Sequence, residues 1–228
     1  MMSLLIDQSK KGAMPRPDTK HEERKAQLVR AATMVFARCG YEGASNRLIA
    51  EEVRRSTGRP CTPALLYHYF PDGKAALFSA VLGQHEPLQS FGRALQDVRD
   101  APPEVFLRRA ARAYLAMFED PHTARLARIV ISEGRRHPEL TQNLVRHIGP
   151  LILMPVIDYL RRQVEAGRLR PLPPLAAAAQ FFGPLFMRGL MVDVLGRTAL
   201  PYPLPDDETL IESHVRTFLH GLAMSNEQ

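Results

Sequence analysis

The chain has 228 residues, 45% of them apolar, with 19 Pro, no Trp and a formal net charge of +6. Such a chain supports a real core, in one larger domain or two small ones. Its two cysteines, Cys39 and Cys61, lie outside any C-x-x-C pair, which excludes a disulfide framework and points to a reducing cytosol.

Helix formers (Ala, Leu, Arg, Glu) dominate and runs of alternating β-branched residues are absent, so the sequence predicts an all-α fold. The charge is unevenly placed. Residues 1–85 hold 13 Lys/Arg against 8 Asp/Glu, whereas residues 86–228 hold 17 against 16. A basic excess confined to the N-terminal part is the electrostatic footprint of a nucleic-acid partner, although by itself it would serve solubility equally well.

Residues 1–20 carry Lys10, Lys11, Arg16 and Lys20 among Ser, Gly and Pro without periodicity. They read as a disordered basic arm, either adding phosphate or minor-groove contacts or an unused leader. The start, Met-Met-Ser-Leu-Leu-Ile-Asp, lacks the basic and then apolar regions of a signal peptide. A first helix is expected from Glu22 to Cys39, with Leu28, Ala31, Ala32, Val35 and Phe36 on a buried stripe and Gly40 at its end. Ser45 then caps a second helix whose Leu48, Ile49 and Val53 share an inner face. Arg47 and Arg54 point elsewhere, as phosphate contacts or as a solvated charged face. The stretch from Arg54 to Cys61 either lengthens this helix by a turn, ending at Gly58, or swells the turn that follows.

Residues 62–74 form the stretch around which the chain is organised. Thr62 suits an N-cap whose hydroxyl accepts from the next turn, and Pro63 suits the first helical position. Leu66 and Phe70 point inward, and Pro71 and Gly73 stop the helix after less than two turns. Ala64, Leu65, Tyr67 and His68 are left to face something else, with Lys74 just beyond. Small, aromatic and basic groups on a short exposed helix suit a DNA groove.

A fourth helix with Leu77, Phe78, Val81 and Leu82 continues past Pro87 through Leu88, Phe91, Leu95 and Val98, with a kink or break at the proline. From Pro102 onward amphipathic helices alternate with Pro and Gly. One carries Phe106, Ala110, Ala113, Tyr114, Met117 and Phe118. The next starts at Asp120-Pro121 and bears Leu126, Ile129 and Val130. Another spans Glu139 to Ala166, distorted at Pro150 and Pro155. Leu175 to Leu195 is the most apolar, and Asp207 to Met224 is the last. The longest uncharged run, Pro171 to Met187, is short for a membrane span and is interrupted by prolines.

LVRAATMVFARCGY (Leu28 to Tyr41), RLIAEEV (Arg47 to Val53), LYHYFP (Leu66 to Pro71) and KAAL (Lys74 to Leu77) resemble, in this order, the TetR (tetracycline-repressor) family of bacterial transcription regulators. The resemblance covers about the first third of the chain. It implies a three-helix helix-turn-helix DNA-binding domain, residues 21–85, followed by an α-helical ligand-binding and dimerisation domain, residues 86–228. The segment from Arg125 to Leu140 is similar to AcrR-like members. By this resemblance Tyr67 and His68 meet phosphates or base edges, Lys74 meets a phosphate, Thr62 and Ala64 lie near bases, and Leu65 and Arg47 belong to the same surface. The protein is then a homodimer on a palindromic double-stranded operator, most simply a cytoplasmic repressor that a small-molecule effector releases.

Two further sets of residues follow. Tyr114, Met117, Phe118, Met154, Tyr159, Phe181 and Phe182 are candidates for an adaptable apolar pocket, with Tyr114, Tyr159 and Arg188 as its polar anchors. Each of them also fits a plain core. Leu185, Phe186, Met187, Leu190, Met191, Val215, Leu219 and Leu222 are candidates for a two-fold four-helix contact or, alternatively, for intradomain core.

No motif of an enzyme is present: there is no Gly-rich phosphate loop after a strand, no H-E-x-x-H and no Gly-x-Ser-x-Gly elbow. His214 and His220 are six apart and do not share a helix face for a metal, so neither metal nor cofactor is expected. Glu133, Arg135, Arg136 and His137 form a dense polar cluster, read as a solvated helix end. A reading from another class remains: a helical protein–protein interaction module whose altered helix-turn-helix no longer reads DNA.

Overall fold

Gly40 divides the first element. Helix α1 (Thr19–Gly43) runs regularly until Gly40, whose φ of 71° and ψ of −177° break the ladder before one more turn over residues 41–43. The computed structural model describes residues 19–196 and 203–222. Most of the expected basic arm and the end of the expected last helix lie outside them.

Helix α2 (Asn46–Thr57) opens at Ser45, whose hydroxyl accepts the Leu48 amide at 3.3 Å. It closes at Gly58, where φ is 68° and the amide donates to the Arg54 carbonyl. Only a residue at ease in the left-handed region ends a helix this way without strain. The added residues therefore lengthen α2, and Arg54 and Arg55 sit in its last turn, where cations oppose the helix dipole. Residues 58–62 lead into α3 (Pro63–Tyr69) and α4 (Gly73–Gly83).

The chain breaks at Gln84 and His85 before α5 (Glu86–Gln96), as the proline at position 87 anticipates. Helices α6 (Pro103–Glu119) and α7 (Pro121–Glu133) meet at Asp120, whose carboxylate caps the Thr123 amide at 2.9 Å. Helix α8 (Pro138–Ile148) passes into α9 (Met154–Glu165) through a π-helical turn over Gly149–Leu153, closed by the Met154 amide on the Gly149 carbonyl. Pro150 lacks an amide and its ring crowds the preceding turn, so the ladder widens instead of ending. Helix α10 (Pro174–Gly189), a second π-helical turn (Leu190–Val194) and α11 (Asp207–Leu222) complete the all-α fold. The described residues contain no strand.

Two cores form. One gathers α5, α6, α9, α10 and α11 around Phe91, Phe106, Tyr159, Phe181, Leu185 and Val215. The other gathers α1 to α4 around Leu28, Phe36, Ile49, Leu66 and Phe78, but it also takes in Leu126, Ile129, Val130 and Leu140. Those four belong to α7 and α8, far beyond residue 86. The boundary drawn in the sequence thus separates segments of chain, while packing makes α7 and α8 part of the N-terminal unit as well.

Candidate nucleic-acid interface

Helix α3 is anchored by Leu66 at its middle and Phe70 at its C-terminal cap. Leu66 and Phe70 are 2% and 6% exposed within the N-terminal core, and Leu65 packs partly against it. The opposite side faces outward: Thr62, Ala64 and His68 are exposed, and Tyr67 is 57% exposed. Thr62 occupies the N-cap with an extended backbone, but its side chain makes no capping bond. The expected hydroxyl cap is absent because the Leu65 amide is met by the Thr62 carbonyl at 3.0 Å. That hydroxyl is left for another partner.

Three exposed arginines lie on α2 and the connector that lead into α3. Arg47 pairs with Glu51 across one turn of α2, both side chains largely in solvent (83% and 42% exposed), a contact worth little and readily exchanged for a phosphate. Arg54 and Arg59 are exposed on the lengthened end of α2 and the connector. Arg55 is committed to the buried Glu52 carboxylate at 2.6 Å, and its hydrogen bond holds Glu52 below the usual carboxylate range. Cys61 is buried and burial pushes its thiol up, so it is not an activated nucleophile.

Lys74 departs from the expected phosphate contact. Its ammonium turns inward, donating to the Tyr41 carbonyl at 2.7 Å and the Glu42 carbonyl at 3.4 Å, and it lies over the Tyr41 ring. The Tyr41 carbonyl also accepts the Ala44 amide at 3.3 Å, so Lys74 adds a second donor to the carbonyls that end α1.

The same turn is held from the other side by the cluster read as solvated. Glu133, the last residue of α7, accepts the Tyr41 amide at 3.0 Å and the Glu42 amide at 2.9 Å. His137 reaches Glu42 Oε1 through Nε2 and Glu139 Oε1 through Nδ1, both at 3.3 Å, and the Tyr41 hydroxyl reaches Glu139 at 3.4 Å. Burial, followed by the charges of Glu139 and Glu133, pushes the Tyr41 hydroxyl up to about 12. Gly40 is required here twice over: its φ is positive, and a Cβ would meet Glu133 Oε1 at 2.9 Å.

The expected pocket residues separate into groups. Tyr114 lies 4.9 Å from Phe182 and 5.6 Å from Phe118, ring centre to ring centre, and Phe181 stacks edge-on behind Phe182. Met117 is buried, and burial pushes the Tyr114 hydroxyl up strongly. Three residues stand apart. Tyr159 is fully buried, stacked on Phe106 at 3.6 Å, and its hydroxyl donates to the Ala101 carbonyl, so it is core. Met154 is 44% exposed. Arg188 is not a free anchor: it grips Asp207 with two bonds of 2.7 and 2.8 Å and also pairs with Asp193. An apolar cavity of about 480 Å³ opens elsewhere, between α9, the proline-rich connector and the end of α11, lined by Leu160, Val164, Leu172, Ala177 and Leu222.

The expected two-fold contact also divides. Leu185, Val215 and Leu222 are 0%, 1% and 5% exposed inside one protomer, because they lie on the inner stripes of α10 and α11. Phe186 and Met187 are 41% and 49% exposed, and Leu190, Met191 and Leu219 are half-buried. The stretch from Pro174 to Val194 is long and apolar enough to cross a membrane by length and composition, yet only 33% of its most apolar window is buried. Among the described residues no group of His, Cys, Asp and Glu is placed to hold a metal ion.

Two family models match this arrangement. Residues 28–81 match the bacterial regulatory proteins of the tetR family, and residues 106–221, just over half of the chain, match the AefR-like transcriptional repressor C-terminal domain. The chain belongs to the TetR family. It is thus a DNA-binding transcriptional regulator, with α2 and α3 as its helix-turn-helix. Among solved structures, a TetR-family transcriptional regulator of Mesorhizobium loti shares the fold at a TM-score of 0.74 and 21% identity, covering 91% of this chain and 100% of its own. The flavonoid-responsive regulator FrrA gives 0.69 at 24% identity, covering 90% and 99%. FadR of Bacillus subtilis, solved with stearoyl-CoA, gives 0.65 at 18% identity, covering 86% and 98%. None of the curated protein sequences matches the chain.

Proposed function

We propose that this TetR-family regulator is a homodimeric repressor that holds a palindromic operator with α3 and is released by a small, largely apolar ligand. The observation that carries the reading is the outward side of α3. Thr62, Ala64, Tyr67 and His68 are exposed on a helix otherwise anchored in the core, and Arg47 and Arg54 on α2 and Arg59 on the connector are exposed as well. An exposed aromatic and a free threonine hydroxyl on a short helix suit base edges and phosphates, and exposed arginines suit phosphates. Repression is favoured by the AefR-like repressor match over the C-terminal half.

Dimerisation is supported by the apolar side of α10 that one protomer leaves uncovered, centred on Phe186 and Met187. A self-complementary patch of this kind is what a two-fold contact uses, and two reading heads then require two half-sites. For the ligand, the Tyr114, Phe118 and Phe182 rings are the best candidates, with Met117 and Phe181 behind them. An apolar effector agrees with relatives that respond to a flavonoid or hold stearoyl-CoA.

A second location is favoured by one observation, the 480 Å³ cavity beside Leu160 and Ala177, a size that suits a drug-sized molecule. A thermal-shift screen of hydrophobic metabolites, followed by operator release, tests the reading. Tyr114→Phe weakens a ligand held among the rings, whereas Ala177→Trp blocks one held in the far cavity. Hits that raise the melting temperature but leave DNA affinity unchanged would remove the ligand switch.

A further inference from the structure

Helix α7 touches both ends of the route that a ligand signal must travel. Near its start, Ala124 and Ala127 pack against Phe118, Tyr114, Leu190 and Val194, and Arg128 donates to the Val194 carbonyl at 2.6 Å. At its last residue, the two oxygens of Glu133 receive the Tyr41 and Glu42 amides, 92 and 91 positions away in the chain. Those amides begin a fresh helical turn after the break at Gly40, so they have no partner within their own helix. A carboxylate bridging two such donors forms charge-assisted bonds that fix direction as well as distance. Three residues further on, Ser45 caps α2, and the turn's carbonyls are held by Lys74 at the start of α4. The turn is therefore gripped from within the DNA-binding unit by Lys74 and from the regulatory side by Glu133, which holds the Tyr41 and Glu42 amides, while His137 and Glu139 meet the side chains of Glu42 and Tyr41.

We infer that Glu133 is a positioning residue for DNA recognition: its carboxylate, by holding the Tyr41 and Glu42 amides, sets the pose of the helix-turn-helix relative to the dimerisation domain. The inference rests on the DNA-binding dimer proposed above. In such a dimer, two α3 helices engage one operator only if each is held at the right angle to its own regulatory domain. Letting the turn go leaves the fold and the basic surface intact. It weakens simultaneous reading of two half-sites, and non-specific binding to phosphates is not affected.

The test uses full-length Glu133→Ala and Glu133→Gln, an operator duplex enriched from a random pool by the wild-type protein, and a scrambled duplex. Both variants remove the same charge, and the Gln variant keeps one acceptor oxygen while turning an NH2 donor toward the other backbone amide, so the pair separates the loss of charge from the loss of both acceptors. We expect both to remain dimeric. For Glu133→Ala the ratio of specific to non-specific affinity should fall about tenfold, and for Glu133→Gln, which keeps one acceptor oxygen, about threefold. If Glu133→Ala does not fold, the Gln variant decides. A ratio unchanged or raised in the folded variants, or an equal fall on both duplexes, overturns the inference. Failure of the underlying reading shows differently: the wild type then enriches no duplex, and the inference falls with it.

Discussion

The Lys74 ammonium lies 2.7 Å from the Tyr41 carbonyl oxygen and 4.4 Å from the centre of the Tyr41 ring. We propose that it serves as a strut under the turn between α1 and α2 and not as a hand for the phosphate backbone. Replacing it with Met keeps the stem and removes the charge. Lys74→Met should lower unfolding free energy by about 1–3 kcal/mol, read from urea denaturation. The slope of log affinity against log salt should stay as in the wild type, since no phosphate contact is lost. A slope shallower by about one unit would return Lys74 to the DNA.

Tyr67 offers the opposite case. It is 57% exposed and makes no core contact that holds α3, which Leu66 and Phe70 already anchor. Tyr67→Ala should keep its melting temperature within a few degrees and lose operator affinity by about tenfold. A variant that unfolds, with no separate loss of affinity in the folded fraction, would make Tyr67 a packing residue.

Much of this architecture is written locally. Ser45, the Asp120-Pro121 pair and Gly58 mark helix ends by rules that need no knowledge of the rest of the chain. Leu28, Val35 and Phe36 mark a buried face by spacing alone. The surface of α3 follows because a helix of fewer than two turns has only one side to bury. Glu133 was missed for a physical reason. A charged residue at a helix end looks the same in sequence whether water or a distant turn receives it, and its partners lie 91 and 92 residues away. Gly40 was the available signal, read as a helix stop and not as room for an incoming carboxylate. Arg188 is similar: nothing near it in sequence announces that Asp207, in α11, takes its Nε and Nη2 donors. Core and interface on α10 could not be separated either, because Leu185 and Phe186 are equally apolar and only the fold sends one inward.

That division on α10 gives a third prediction. Phe186→Glu places a charge on a side chain already 41% exposed in one protomer, so the protomer should fold. Sedimentation should show a monomer at micromolar concentration, with operator binding lost. Leu185→Glu, fully buried, should instead prevent folding. A Phe186→Glu dimer as tight as the wild type would move the two-fold contact off α10.

Stability should depend on pH through three histidines. His85 is buried beside Thr123 and Asp120, His147 lies against Ser79, and His214 donates through Nε2 to the Phe181 carbonyl at 2.7 Å. Burial is the leading cause in each case and holds all three below the ordinary histidine value. For a base whose folded value is depressed, the unfolded chain takes up the proton first. Stability is therefore full above about pH 6.5 and is lost as pH falls below it, levelling only below the folded values. Melting temperature should drop between pH 7 and pH 5, and His85→Gln should shrink the drop. A melting temperature that rises as pH falls would show that the carboxylate beside His85 outweighs its burial.

The account stands or falls on whether α3 reads two half-sites at once. The most direct measurement is selection of duplexes from a random-sequence pool by the wild-type protein, followed by the mass of the resulting complex in sedimentation. The account predicts an inverted repeat bound by an even number of protomers, with affinity that falls steeply as salt rises. Enrichment of no sequence, or of a single half-site bound by a lone protomer, would contradict it.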